Sequence, residues 1–136
     1  MNNQVRTITL FYAELWNERD NTRIDEILTK DVAFRGSLGD RKRGQERFLE
    51  YVDKVHTSLY NYTCTIQSCS EADGKVVALV EFSGLHKSEF LGVAATGRKL
   101  TWTGEATFTF FGTRIANIDV QGDLGILRRQ MVQTET

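Results

Sequence analysis

The stretch that decides the fold is GLHKSEFLGVAATGRKLTWTGEATFTF, Gly84 to Phe110. A strand ending in Gly-x-His runs into a Glu-Phe-Leu-Gly loop, and a Thr-Gly-Arg turn then opens a second, threonine-rich strand. In that second strand Trp102, Ala106, Phe108 and Phe110 alternate with Thr101, Thr103, Glu105, Thr107 and Thr109. A period of two with apolar and polar residues alternating is the signature of a strand whose faces meet different surroundings. The loop around Gly92 and Gly97 is no phosphate cradle, because no helix follows it to present an N-terminus.

Moving outward, the same parity continues. Tyr60, Tyr62, Cys64 and Ile66 alternate with Asn61, Thr63, Thr65 and Gln67, and Ile118 and Val120 alternate with Asn117, Asp119 and Gln121. Four strands are predicted over 60–69, 75–86, 99–110 and 114–121, with the Asp73-Gly74 pair marking a hairpin. Short turns imply antiparallel pairing. Ahead of them, Val5, Ile8, Tyr12, Leu15 and Trp16 space out an amphipathic helix over 3–17, broken at Asn17 to Asp20. A short second helix follows Thr22-x-x-Asp25, which has the form of a capping box. Asp31 to Gly36 reads as a short strand, Arg41-Lys42-Arg43 as part of a polar loop. Phe48, Tyr51, Val52, Val55 and Leu59 define a third helix. Helices gathered ahead of a run of strands give an α+β layered fold in one domain over 1–136. The three helical stripes must be buried, and only the aromatic face of the sheet accepts them. Three helices do not fill the hollow of a curved sheet, so an apolar pocket between the layers is expected.

Net charge is -1, with 26% charged and 40% hydrophobic residues, which is ordinary for a globular chain and lacks the basic stripe of a nucleic-acid binder. No run nears the roughly 18 apolar residues of a membrane span, and the N-terminus has no signal-peptide pattern. A cytoplasmic location is the simple expectation. Cys64 and Cys69, five residues apart on one strand, would lie about 16 Å apart on opposite faces and are read as reduced packing residues. His56 is expected to face solvent or cap the third helix, and the two histidines lack the companions of a metal site.

The Gly84–Phe110 stretch, together with Trp16-Asn17-Glu18-Arg19-Asp20 and Leu127-Arg128-Arg129-Gln130, resembles the SnoaL-like polyketide cyclase family of the NTF2-like group. The resemblance implies a cone: a curved, mainly antiparallel sheet with three helices on its concave face. It also implies a cofactor-free acid/base carboxylate on the last strand that abstracts a proton next to a carbonyl and drives ring closure. In this chain the family's aspartate falls on Val120, an assisting histidine on Phe108 and a pocket asparagine on Phe34.

Asp119 is then the nearest substitute base, if a one-residue bulge turns it inward. His86, at the family's Gly-x-Thr-His position, is the candidate to assist at the pocket mouth. Tyr12, Trp16, Phe34, Tyr51, Tyr62, Trp102, Phe108 and Val120 are the expected ligand contacts. The expected activity is binding of a small, largely apolar cyclic compound of polyketide or steroid type, with isomerisation or cyclisation by proton transfer as its chemistry. The alternatives are a non-catalytic binding or dimerisation module and an epoxide-hydrolase-like enzyme. Neither metal nor organic cofactor is expected. A homodimer is expected through the threonine-rich face, at Thr103, Glu105, Thr107 and Asp119.

Overall fold

The computed structural model describes residues 3–36 and 41–132. Helix α1 (Asn3–Leu10) continues as a π-helical segment over Phe11–Asn17. Then come α2 (Ile24–Ile27), β1 (Leu28–Arg35), β2 (Lys42–Arg43), α3 (Gln45–Ser58), β3 (Leu59–Ala72), β4 (Lys75–His86), β5 (Lys99–Phe111), β6 (Arg114–Gly122) and α4 (Leu124–Val132). The strands form one curved, open six-stranded sheet in the order β2-β1-β6-β5-β4-β3, antiparallel throughout except for the parallel pair β1 and β6. The fold is therefore α+β, as the alternation and the grouping of helices predict.

The sheet's aromatic face is the core. Phe82 pairs with Trp102, Ala78 with Ala106, and Phe108 with both Val76 and Ile118, so like faces line up across three strands. All seven are buried. At Gly104 an added Cβ would lie 2.8 Å from the Phe82 ring and 3.2 Å from the Gly122 Cα, so only glycine lets β5 cross there. Asp73 and Gly74 both take positive φ, 52° and 76°, as a tight hairpin between twisted strands requires.

Bulges alter which way individual residues point. The pairing of β3 with β4 shifts between Tyr60 and Thr63, where Asn61 takes φ 55°. That extra residue puts Leu59 and Tyr62 inside and leaves Tyr60, expected on the inner face, 56% exposed. A second shift, between Ile66 and Ser68, brings Cys69 opposite Ala78. Both cysteines thus pack on the core side rather than on opposite faces, and both are free thiols.

The helices also depart from the sequence reading in places. The α1 segment winds as a π-helix from Phe11, and its wide turns send Phe11, Tyr12, Leu15 and Trp16 all inward. Thr22 does not form the expected capping box; its N–H and O–H both donate to Asp20 Oδ1, at 3.0 and 2.8 Å. The expected loop at Arg41-Lys42-Arg43 contains β2, which pairs with Ala33 and Phe34. A fourth helix, α4, joins the three expected ones and buries Leu127 and Met131 at the end of the cone.

Two side-chain amides finish sheet edges that lack a strand. Asn17 donates to the Cys64 carbonyl at 2.9 Å and accepts from the Cys64 N–H at 2.8 Å. Gln130 does the same for Thr101, at 2.6 and 2.8 Å. Each amide carries the donor and acceptor that a neighbouring strand would supply, so buried backbone groups stay paired.

Candidate functional site

Between α1, α3 and the sheet lies an aromatic cavity of about 30 Å³. Tyr12, Trp16, Phe34, Tyr51, Tyr62 and Val120, all expected ligand contacts, line it. Trp102 and Phe108 do not. Trp102 stands behind Tyr62 and Phe82, at ring separations of 6.1 and 5.4 Å, and Phe108 packs edge-on against Phe11 and Tyr12 at 5.7 and 6.1 Å. The wall also includes Phe11, Phe48, Phe82 and Ile118. Their apolar periodicity was visible in the sequence, but it does not separate cavity wall from solid core.

The wall is a lattice of edge-to-face rings. Trp16 meets Phe48 and Tyr51 perpendicularly at 5.8 and 5.7 Å, and Phe34 meets Phe48 perpendicularly at 5.4 Å. Such contacts put positive ring edges against negative faces and hold the side chains in place. Tyr51 closes one side and is only half-buried. Its ring lies on Gly36, where an added Cβ would fall 2.1 Å from the hydroxyl oxygen and 2.4 Å from the ring carbon beneath it. A side chain at position 36 would evict Tyr51, so Gly36 is the seat of that wall.

The polar residues of the cavity wall are Tyr12, Tyr51, Tyr62, Trp16 and Arg35, and the Arg35 guanidinium is engaged by Asp119. The Tyr12 hydroxyl is buried without a hydrogen-bond partner in the protein. Burial pushes the ionisation of Tyr12 and Tyr62 well above the usual phenol value, because charge there has no water to solvate it. Both remain neutral O–H donors. Beneath them burial pushes the Cys64 thiol up to about 12, so it stays protonated. His56, half-buried rather than solvent-facing, sends its Nε2 to the Trp16 carbonyl at 2.7 Å and stacks on the Trp16 ring. Burial holds this imidazole below its ordinary value of 6.5, outweighing the carbonyl's opposing pull.

Neither acid/base candidate reaches the cavity wall. The bulge that would turn Asp119 inward is absent: pairing of β5 with β6 is continuous from Asn117 to Gly122, with Thr107 opposite Asp119. The shift falls earlier, between Ile115 and Asn117, and brings Ile115 and Ile118 both to the inside. Asp119 lies instead on the outer face, where Arg35 Nε and Nη2 donate to its Oδ1 at 3.0 and 2.8 Å. Arg41 donates to the other oxygen at 3.3 Å and to Asn117 at 2.8 Å. His86 is 0% exposed and clamps the loop that follows it. Its Nδ1 accepts the Thr96 N–H at 3.3 Å and meets the Thr96 hydroxyl at 3.0 Å. The other ring nitrogen, Nε2, is buried without a protein partner, and the ring lies beside Phe90.

Among the described residues no group of His, Cys, Asp and Glu is arranged to hold a metal ion, and no helix is long and apolar enough to cross a membrane.

The model of the SnoaL-like polyketide cyclase family matches residues 6–131. The chain belongs to this family. Solved structures share the fold across nearly their whole length. A SnoaL-like polyketide cyclase from Agrobacterium tumefaciens is 15% identical, with 96% of this chain and 98% of that one covered at a TM-score of 0.81. TsrD from Streptomyces laurentii is 22% identical, with 96% and 95% covered at 0.82. An NTF2-like protein of unknown function from Burkholderia pseudomallei is 18% identical, with 98% and 100% covered at 0.77. A comparison with curated proteins finds no match. At these identities the likeness concerns the fold. The family member described here thus has the NTF2-like cone, with an aromatic interior where Val120 and Phe34 face the cavity.

Proposed function

We propose that this SnoaL-like protein binds a small, largely apolar cyclic compound carrying a carbonyl oxygen, and that the Tyr12 hydroxyl is the donor that orients it. The observation that carries this reading is the Tyr12 O–H itself, fully buried on the cavity wall and unpaired. An unmade buried hydrogen bond costs about 1–3 kcal/mol, and a ligand carbonyl would recover it. The family's polyketide-cyclase description fits a ring-bearing, oxygenated ligand. Binding is favoured over ring closure because the described residues of the cavity wall include neither a carboxylate nor an imidazole. Asp119, tied to Arg35 and Arg41, would have to break two charge-assisted contacts to serve as a base.

At about 30 Å³ the cavity holds little more than one water, whereas ligand sites usually run to about 300–1,000 Å³. Ligand entry therefore requires Tyr51, the half-exposed part of the wall, to swing off Gly36. The test is a thermal-shift titration with 1-tetralone and 2-acetylnaphthalene on wild type and Tyr12→Phe. Wild type should melt higher with ketone, by mass action on the native state. Tyr12→Phe should be no less stable without ligand, and should bind the ketones about tenfold more weakly, the equivalent of ~1.4 kcal/mol. No shift with either ketone, or equal affinity in the variant, would refute the assignment.

We also propose that two copies pair through the outer sheet face. Leu79 is 40% exposed there, directly opposite Glu105, and Thr103 and Thr107 flank Glu105 on the same face, a surface of β-branched, apolar and acidic side chains. Arg35 and Arg41 share the single carboxylate of Asp119 and so carry one net positive charge, while Glu81 and Glu105 add two negative charges to the same face, so a two-fold pairing can set opposite charges against each other. Sedimentation should show a dimer at micromolar concentration that dissociates in Thr107→Arg. A monomeric wild type, or a dimer indifferent to the arginine, would leave this face simply solvated.

A further inference from the structure

Tyr51 has a second neighbour besides the aromatic cavity. On its outer side, between α3 and the segment after β4, lies a groove of about 450 Å³ that Tyr51 also lines. One side chain is thus the partition between a tight aromatic interior and a roomy surface groove. Displacing Tyr51 from Gly36 would join the two voids into one elongated site.

The groove differs in character from the interior. Val55, Phe90 and Leu91 give it an apolar floor, and Lys42, Arg47 and Lys54 stand around it. Arg47 and Lys54 sit seven residues apart on α3, two turns on the same side as Tyr51. None of the three cations makes an ion pair or hydrogen bond with a described residue, although Arg19, Arg23, Arg35 and Arg41 all have acidic partners. Two carboxylates, Glu50 and Glu89, also border the groove. Glu89 accepts the Gly92 N–H at 3.1 Å, which turns it toward its own loop but leaves its charge in place. Three cations, none of them ion-paired, against two carboxylates leave the groove one charge positive on a chain whose net charge is -1.

We infer that the ligand is amphipathic and anionic: its ring enters the aromatic cavity past Tyr51, and a carboxylate remains in the groove against Arg47, Lys54 and Lys42. This rests on the cavity reading above and adds the charge of the ligand to it. An apolar floor beneath unpaired cations matches a molecule with a ring at one end and an acid at the other. A purely neutral ketone would leave those cations without a partner.

The experiment compares two probes that share a ring and a ketone, 2-acetylnaphthalene and 6-acetyl-2-naphthoate, by fluorescence titration of the full chain. Wild type at low salt should bind the naphthoate about tenfold more tightly. In Arg47→Gln/Lys54→Gln that advantage should vanish while affinity for the neutral ketone is unchanged. Sodium chloride at about 0.5 M should erode it too, because solvent-facing charges are screened over a few ångströms. Equal binding of both probes, or an advantage that survives the double substitution, overturns the anionic assignment and leaves the cavity reading standing. Binding of neither probe overturns the cavity reading, and this inference with it. Circular dichroism of the double variant checks its fold, and both substitutions lie on exposed positions where little stability is at stake.

Discussion

Phe108→Ala should destabilise the protein by about 3–5 kcal/mol, a large fraction of the ~5–15 kcal/mol available to a domain of this kind. The ring is completely buried and stands edge-on to both Phe11 and Tyr12. Its removal loses the transfer free energy of the aromatic side chain and opens a void that the sheet cannot close. On β5 the residue sits between Val76 of β4 and Ile118 of β6, whose backbones are fixed by continuous pairing. Urea denaturation monitored by tryptophan fluorescence measures the loss. A cost below about 1 kcal/mol would mean that the ring is not part of a close-packed interior. The variant also separates two roles for this position, since Phe108 backs the Tyr12 ring without lining the cavity. Affinity for a neutral ketone should fall only as far as Tyr12 loses its support.

Gln130→Ala should cost about 2 kcal/mol, more than its partly exposed position suggests. The side-chain amide pairs with both backbone groups of Thr101 and so ends β5 where β6 has already turned away into α4. Without it one N–H and one C=O are stranded beneath α4, and the desolvation cost of each is no longer offset. Hydrogen exchange at the Thr101 amide should accelerate in step with the fall in stability. Gln130→Glu is the informative comparison: a carboxylate still accepts the N–H but has no donor for the carbonyl. An alanine variant as stable as wild type, with Thr101 exchange unchanged, would show that water replaces the amide and that α4 is held by Leu127 and Met131 alone.

The same device at Asn17, pairing with Cys64 on the outermost strand, gives a physical role to a residue that sequence reading could only note as part of a recurring motif. Both amides blunt a strand edge that would otherwise invite another chain. His86 is a related case. Its place in the Gly84–Phe110 stretch pointed to the cavity mouth, yet its ring is spent on holding Thr96, and its own N–H and C=O pair with Arg98 and Gly97. A histidine at the end of a strand looks alike in sequence whether it meets a ligand or a neighbouring loop.

Alternation and spacing alone determined the order of the first three helices and of the four long strands, the aromatic face of β4 to β6, the hairpin at Asp73-Gly74 and the burial of α1 and α3 against that face. These follow from local periodicity, which depends only on the residues within each element. Tertiary structure alone decided the bulges at Asn61, in β3 near Gln67 and in β6 near Ala116, and with them the directions of Tyr60, Cys69 and Ile115, and it decided that no bulge falls at Asp119. A bulge is a mismatch of one residue between partner strands, so it is fixed by the partner's register and leaves no reliable mark on the strand that carries it. The parallel pairing of β1 with β6, the extra helix α4 and the seat of Tyr51 on Gly36 are likewise set by residues distant in the chain. The aromatic, apolar character of the inner face was therefore legible, while which of its residues line the cavity, the closure by Tyr51 and the exclusion of Asp119 came from how the strands and helices meet.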